Sequence, residues 1–289
     1  MLLTFLIPLI LVILLGIYLK TFMSIGIAVL CCILSYIPFT EIYIQIANYI
    51  LSKTTKTKMV PKLDFLNGIP EEYATFVVIP TIVDSAKKVN ELMEKLEIYY
   101  IANKSKNIFF ALLGDTKASK NEKEFYDEEV INAGLEAVKR LNEKYKTDSF
   151  PIFHFLYRNR LWNSSEKCYL GWERKRGLLS QFNNFLVNKL LGFNERIDSQ
   201  KGFRTNTIAN EENVPQIKYI ITLDSDTNLV LESASELIGA MAHILNKPVL
   251  NKNRDLVIEG HALMQPRVGI DLEASSKSAF TKIYAGLGG

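Results

Sequence analysis

The sequence predicts an α/β domain built on a parallel sheet and preceded by membrane helices. From about residue 75 onward, short apolar runs alternate with amphipathic stretches, as in chains whose strands and helices alternate. Residues 1–40 are, by contrast, almost wholly apolar. The first 60 residues hold four lysines and one acid, so they carry the whole net charge of +3. We therefore expect membrane segments over 1–40, an interfacial helix and basic linker over 41–60, and a soluble domain over 61–289.

The overall composition excludes several classes of protein. A chain that is 48% hydrophobic is too apolar to be disordered. A net charge of +3 spread over 289 residues is too weak for a nucleic-acid-binding protein, so no nucleic-acid partner is expected. Three cysteines are too few for a disulfide scaffold.

Two uncharged apolar stretches, residues 2–19 and 21–39, predict two transmembrane helices. At about 1.5 Å per residue, each reaches roughly 27 Å, which is close to the thickness of the hydrocarbon core of a bilayer. A single tilted span is an alternative. A secretory signal peptide is disfavoured, because the apolar run is too long and no basic segment precedes it.

Residues 41–60 predict a helix that lies along the membrane surface. Ile42, Ile46 and Ile50 recur every four residues, and polar side chains occupy the other faces. A helix packed on the soluble domain would show the same pattern. A cluster of lysines follows, which by the positive-inside rule places the soluble domain of this multi-pass protein in the cytoplasm, at the cell (inner or plasma) membrane with its lipids. These lysines are Lys53, Lys56, Lys58 and Lys62.

The first half of the soluble domain predicts three strands, each followed by a helix. The strands are short runs of β-branched and aromatic residues, and the helices carry apolar side chains at helical spacing. The first helix begins at a residue that can cap it, Asp84 or Ser85. The predicted strands are 76–80, 108–113 and 152–157, and the predicted helices are 84–103, 122–145 and 175–191.

The second half predicts fewer regular elements. Residues 194–215 are polar and lack periodicity, so they predict a surface insertion without regular structure. A strand over 219–223, a helix over 231–245 and a strand over 257–264 follow. In parallel sheets, ligands bind outside the carboxyl ends of the strands, so the residues that follow the strands are candidates for chemistry.

Two carboxylates, Asp224 and Asp226, directly follow the strand 219–223. Oxygen ligands in one crevice suit a hard cation such as Mg²⁺ or Mn²⁺, commonly together with a diphosphate. An ordinary Asp-rich turn before a helix is the simpler interpretation. A phosphatase that uses Asp224 as nucleophile is a further alternative, but it is disfavoured because Asn228 stands where such enzymes carry Thr or Val.

Two other strand ends carry charged residues. Asp115 lies just after the strand 108–113, where it could accept a hydrogen bond from a base or cap the next helix. Arg174, Lys175 and Arg176 precede Gly177 at the start of a helix, an arrangement suited to phosphate oxygens. A solvated basic turn is the alternative for these three cations.

Together these segments resemble the glycosyltransferase domain of cyclic β-1,2-glucan synthases (glycosyltransferase family 84). The most specific segment is Gly-Trp-Glu-Arg-Lys-Arg-Gly at residues 171–177, and the resemblance runs from about residue 36 to residue 289. It implies a cytoplasmic domain of the GT-A (nucleotide-diphospho-sugar transferase-like) fold that uses UDP-glucose. The other segments that carry it are 61–70, 76–81, 110–115, 158–163, 222–227 and 265–268.

The resemblance also implies roles for individual residues. Asp224 and Asp226 would bind the divalent metal, and Asp224 would also lie against the donor. Asp115 would contact uracil, while Lys175, Arg176 and Gly177 would line the diphosphate. The acceptor's 2-hydroxyl would displace UDP with inversion to extend a β-1,2-glucan.

The family's general base and acceptor site are expected beyond residue 289, so the catalytic residues stay unassigned and the chain is expected to be a C-terminally incomplete, donor-binding fragment. Its expected partners are a nucleotide sugar, the growing β-glucan and the remaining C-terminal part of the same synthase. A membrane-tethered remnant that binds a nucleotide sugar without transferring it is the alternative.

Overall fold

The computed structural model describes residues 2–55, 59–147, 149–190, 202–209, 211, 213–269, 275–279 and 281. The chain forms two compact units, Met1–Met59 and Val60–Gly289.

The first unit is a pair of helices, α1 (Leu2–Leu19) and α2 (Ile25–Thr54). They approach closely at Gly16, where a Cβ atom would lie 2.8 Å from the sulfur of Cys32. A larger residue at this position would therefore require the Cys32 side chain to move.

The structure corrects two predictions for this unit. Helix α2 continues through Pro38 to Thr54, so residues 41–54 extend the preceding helix and do not form a separate interfacial one. A proline removes one hydrogen bond from a helix without necessarily ending it. Among the described helices, one (α2) is long and apolar enough to cross a membrane, whereas the apolar part of α1, Thr4–Leu19, is shorter. The prediction of two such helices is therefore wrong for the described residues.

In the part of the second unit that the structure describes, five strands form a mostly parallel sheet, as the alternation of strands and helices predicts. The strands along the described chain are β1 (Thr75–Ile82), β2 (Ile108–Asp115), β3 (Phe153–Arg158), β4 (Leu161–Asn163), β5 (Cys168–Leu170), β6 (Phe203–Asn206), β7 (Tyr219–Thr222), β8 (Val249–Leu250) and β9 (Val257–Glu259). The strand order of the main sheet is β6-β3-β2-β1-β7, with β6 antiparallel to β3 and the others parallel.

Helices cover both faces of this sheet, which explains why its central strands are apolar throughout. Alternate residues of β1 face opposite sides: Val77 and Ile79 belong to one core, and Phe76 and Val78 to the other. The first core includes residues of α3 (Ala86–Ala102), α4 (Asp127–Lys144) and α6 (Ser233–Ala242), and the second includes residues of α5 (Arg174–Leu190).

Two predicted regions differ from the structure. Residues 203–206, within the predicted insertion, form β6 against β3; most of the rest of 194–215 lies outside the described residues. This edge strand, Phe-Arg-Thr-Asn, is only partly buried and so lacks an apolar signature. Of the predicted strand 257–264, residues Val257–Glu259 form a strand, β9. This strand pairs with β8 in a hairpin outside the main sheet, and its side chains are largely exposed. Gln265, Pro266 and Arg267 therefore do not follow a strand of the main sheet.

The strand order indicates where a ligand-binding crevice is expected, between β1 and β7. Strands β3, β2 and β1 follow one another in one direction, and the next parallel strand, β7, pairs on the opposite side of β1. Such a reversal separates the connections that leave β1 and β7, so ligands in α/β proteins bind beside the carboxyl ends of these two strands.

Candidate functional site

The predicted site residues lie on segments that leave the carboxyl edge of the sheet. Asp115 is the last residue of β2, Asp224 lies two residues after β7, and the turn 171–177 opens α5. The parallel strands bring these segments to one edge because their carboxyl ends point the same way.

Lys175 and Asp224 are in direct contact at this edge. The Lys175 ammonium donates a hydrogen bond to Asp224 Oδ1, and both side chains remain substantially exposed. The structure thus joins the cationic turn to the aspartate pair, two motifs that the sequence presents separately. The neighbouring cations point elsewhere: Arg176 pairs with Glu173, and Arg174 lies 3.8 Å from Glu166.

Asp224 and Asp226 are both exposed on the loop after β7. Within the described residues, no group of three or more His, Cys, Asp or Glu side chains is placed to hold a metal ion. Two accessible carboxylates nevertheless fit Mg²⁺ or Mn²⁺, since Mg²⁺ in nucleotide sites commonly takes one or two protein carboxylates and completes its shell with phosphate and water. Asp224 and Asp226 are thus the residues that would hold the ion.

Helix α3 fixes the loop that carries these aspartates. Lys95 Nζ donates to the Ser225 carbonyl at 2.8 Å, and the Tyr99 hydroxyl donates to the Thr227 carbonyl at 2.5 Å. Asn103 Nδ2 donates to the Val230 carbonyl at 3.2 Å. The three side chains are spaced four residues apart, so they lie along one face of the helix.

The sequence does not predict this anchoring role, because Tyr99 falls on the apolar face of the helix predicted over 84–103. Burial raises the pKa of Tyr99 to about 12, so its hydroxyl remains a hydrogen-bond donor at any physiological pH. Burial also lowers the pKa of Lys95, and the charge of Asp226 partly opposes that effect. The spacing of polar groups on an otherwise apolar face was the available signal.

Asp115 is buried and bound to Arg158. Arg158 Nε donates to Asp115 Oδ1 at 2.6 Å and Arg158 Nη2 to Oδ2 at 2.7 Å, which forms a bidentate pair. The amide of Thr116 donates to Oδ1 as well. Asp115 therefore faces an arginine in this structure, and its contact with uracil stays a prediction.

The turn 171–177 has an unusual backbone that the surrounding residues require. Glu173 and Arg174 have positive φ angles of 47° and 52°, a conformation that costs free energy in residues other than glycine. A Cβ atom at Gly177 would collide with the Trp172 carbonyl oxygen. Only glycine allows this close approach, and the role of Gly177 at a diphosphate stays a prediction.

A second buried ion pair, between Arg160 and Asp127, lies beside that of Arg158 and Asp115. Asp127 accepts hydrogen bonds from Arg160 at 2.5 Å, Arg204 at 3.0 Å and Tyr157 at 3.0 Å. Burial alone would raise the pKa of Asp127, but its hydrogen bonds, above all that from Arg160, bring the pKa below its usual value. A cavity of about 20 Å³ adjoins this network, large enough for about one water molecule.

Comparison with known proteins gives one informative relative. The chain is 34% identical over 262 residues, which is 90% of its length, to the cyclic beta-(1,2)-glucan synthase NdvB of Rhizobium meliloti (strain 1021). It spans 9% of the length of that relative. No protein-family model matches the chain.

Proposed function

We propose that this chain, which belongs to the cyclic β-1,2-glucan synthase family, is a membrane-anchored glycosyltransferase domain that binds UDP-glucose with Mg²⁺ or Mn²⁺. The relative supports a glycosyltransferase role. The observation that carries the more specific proposal is the contact of Lys175 with Asp224 at the carboxyl edge of the sheet, where β7 pairs on the far side of β1.

The charges at this edge suit a nucleoside diphosphate that leaves during the reaction. Asp224 and Asp226 would hold the metal, which supplies positive charge to the diphosphate as its bond to glucose breaks. Lys175, whose ammonium contacts Asp224, adds a cation beside the aspartates. Since Lys95 and Tyr99 hold the loop after β7, the carboxylates are positioned before the donor arrives.

The proposed reaction is an inverting transfer onto a growing β-1,2-glucan. The acceptor's 2-hydroxyl attacks the anomeric carbon of α-linked glucose from the face opposite the diphosphate, and UDP leaves. A carboxylate base must take the hydroxyl proton. We assign that base to no residue of the described chain, and we propose that the rest of the synthase completes the acceptor site.

The fold and the membrane anchor are part of the proposal. A mostly parallel sheet with paired aspartates after a strand is compatible with the GT-A fold. Helix α2 is the candidate span, and its side chains are mainly exposed, unlike those of a helix in a protein core. The lysines at 53, 56, 58 and 62 favour a cytoplasmic domain.

The deciding experiment is calorimetric titration of the full chain, in detergent, with UDP-glucose in the presence of Mg²⁺ or Mn²⁺. We expect binding that requires the metal and that is weakened at least tenfold by Asp226→Asn, a loss of about 1.4 kcal/mol. Glu143→Gln, which removes an exposed carboxylate from α4, is the matched control and should leave the affinity unchanged. Metal-independent binding, or equal binding by Asp226→Asn, would contradict the proposal.

A second assay separates transfer from binding alone. Incorporation of labelled glucose into glucan by the purified chain would exclude a binding remnant. Metal-dependent binding without incorporation would support the remnant for the isolated chain. Trapping a phosphoryl group on Asp224 with a phosphate analogue would instead support the phosphatase alternative.

A further inference from the structure

We propose that Arg158 is a positioning residue, which holds the turn 171–177 so that Lys175 faces Asp224. This inference rests on the proposed donor site and adds to it a residue that does not itself face the ligand. Arg158 is 1% exposed and is the largest of the fully buried side chains within the described part of the chain.

The guanidinium joins two segments that are far apart in the sequence, the end of β2 and the turn 171–177. On one side it makes the bidentate pair with Asp115 at the end of β2. On the other side it donates to two backbone carbonyls of the turn, those of Trp172 and Arg174, each at 2.8 Å. Gln181 of α5 accepts a further, longer hydrogen bond of 3.5 Å.

These contacts use the full donor capacity of the arginine. Guanidinium carries five N–H groups, and here five hydrogen bonds leave it: two to Asp115, two to backbone carbonyls and one to Gln181. Lysine has three donors on a single nitrogen and cannot reproduce this fork. The geometry of the site thus requires arginine in particular.

The turn needs such a constraint because its backbone is strained. Glu173 and Arg174 both have left-handed backbone angles, and the carbonyl of Arg174 is one of the two that Arg158 holds. Gly171 lies against the same ion pair, since a Cβ atom there would collide with Asp115 and with the guanidinium. Backbone strain of this kind persists only where surrounding contacts determine the conformation.

The constraint reaches Lys175 through the peptide bond. Lys175 directly follows Arg174, so fixing the Arg174 carbonyl fixes the start of the residue whose ammonium contacts Asp224. When the backbone of the turn is already fixed, Lys175 loses less conformational freedom on binding a phosphate. Arg158 therefore acts on donor affinity by way of Lys175.

A double-mutant cycle tests this dependence in the full chain, with UDP and Mg²⁺ as the probe and calorimetry as the readout. We expect Arg158→Lys to weaken UDP binding about tenfold in the wild-type background. In the Lys175→Ala background, the same substitution should change the affinity less than twofold, because the side chain it positions is absent. Arg160→Lys, which alters the adjacent buried arginine but not the turn, is the matched control and should leave UDP affinity within twofold.

The outcomes distinguish this inference from the proposed function. An equal loss of affinity in both backgrounds, or no loss in either, would overturn the positioning role while the donor site stands. Failure of the wild-type chain to bind UDP would contradict the proposed function. Hydrogen–deuterium exchange of the wild-type turn then decides the positioning role, and it also does so if Arg158→Lys does not fold. Peptides covering 171–177 should be protected without ligand, and exchange within seconds would overturn the inference.

Discussion

Lys175 and Asp224 form an ion pair across the carboxyl edge of the sheet, although 49 positions separate them in the sequence. The pair is exposed, with 46% of the lysine and 64% of the aspartate side chain accessible. Exposed ion pairs contribute little to stability, typically about 0–1 kcal/mol. The contact therefore indicates proximity of the two candidate motifs, the cationic turn and the aspartate pair, more than it stabilises the fold.

We expect Lys175→Ala to separate binding from stability. The free energy of unfolding should change by less than about 1 kcal/mol, because the pair is solvated. The affinity for UDP with Mg²⁺ should fall about tenfold or more, since a charged hydrogen bond to phosphate is lost, worth about 1.5–3 kcal/mol. Denaturant unfolding and calorimetry measure the two effects, with exposed Lys139→Ala of α4 as the control. A large loss of stability with unchanged affinity would contradict this expectation.

Tyr99→Phe should loosen the aspartate loop. The substitution removes the donor to the half-buried Thr227 carbonyl at 2.5 Å, and a hydrogen bond of this kind contributes about 0.5–1.5 kcal/mol. We therefore expect a lower unfolding midpoint and weaker metal-dependent UDP binding. Tyr100→Phe on the same helix is the matched control, since the Tyr100 ring packs on Phe110 and Phe153. Equal effects of both variants would show that the loop contact is unimportant.

The sheet was predictable because its strands are buried on both faces. Apolar runs such as 76–80 and 108–113 become the central strands β1 and β2, and the pattern needs no tertiary information. Strand β6 was not predictable, since its pairing with β3 supplies its stability and three of its four residues are polar. Helix α2 extends further than expected because proline weakens a helix locally without dictating its end.

The residue types of the candidate site could be predicted from the sequence, but the contacts between those residues could not. The motifs at 171–177 and 224–226 could be identified by their chemistry, and the parallel topology accounts for their shared edge. Arg158 lies on β3, three strands away from β7 in the sheet. Nothing in the sequence indicates that it joins Asp115 to the backbone carbonyls of the turn. Such contacts depend on side-chain directions in the folded chain, which a linear pattern does not specify.

His154 should make stability depend on pH. Its ring is buried between aromatic side chains, and burial lowers its pKa from 6.5 to about 3. The unfolded chain gains a proton near pH 6.5 while the folded chain remains neutral until about pH 3. The contribution of His154 to the free energy of unfolding is therefore complete above about pH 6.5. It is lost progressively as the pH falls to about 3, by at most about 1.4 kcal/mol per pH unit.

Denaturant unfolding between pH 7 and pH 4 measures this dependence. His154→Phe keeps an aromatic ring beside Phe76 and Phe150 and removes the titration, so its stability should decrease less steeply toward low pH than that of the wild type. His261→Asn changes an exposed histidine and should leave the slope unaltered. Parallel curves for wild type and His154→Phe would show that the buried imidazole does not set the pH dependence.

Gly177→Ala should disturb the turn that carries Lys175. The added Cβ atom would collide with the Trp172 carbonyl oxygen, so the backbone must move at the start of α5. Because overpacking of this kind costs about 1–3 kcal/mol, we expect a lower unfolding midpoint together with weaker binding of UDP and Mg²⁺. Gly202→Ala is the matched control, since a Cβ atom there meets no atom within 4 Å, and its effect on stability should stay within about 0.5 kcal/mol. Equal stability and affinity of the two alanine variants would show that the close approach at Gly177 does not position the cationic turn.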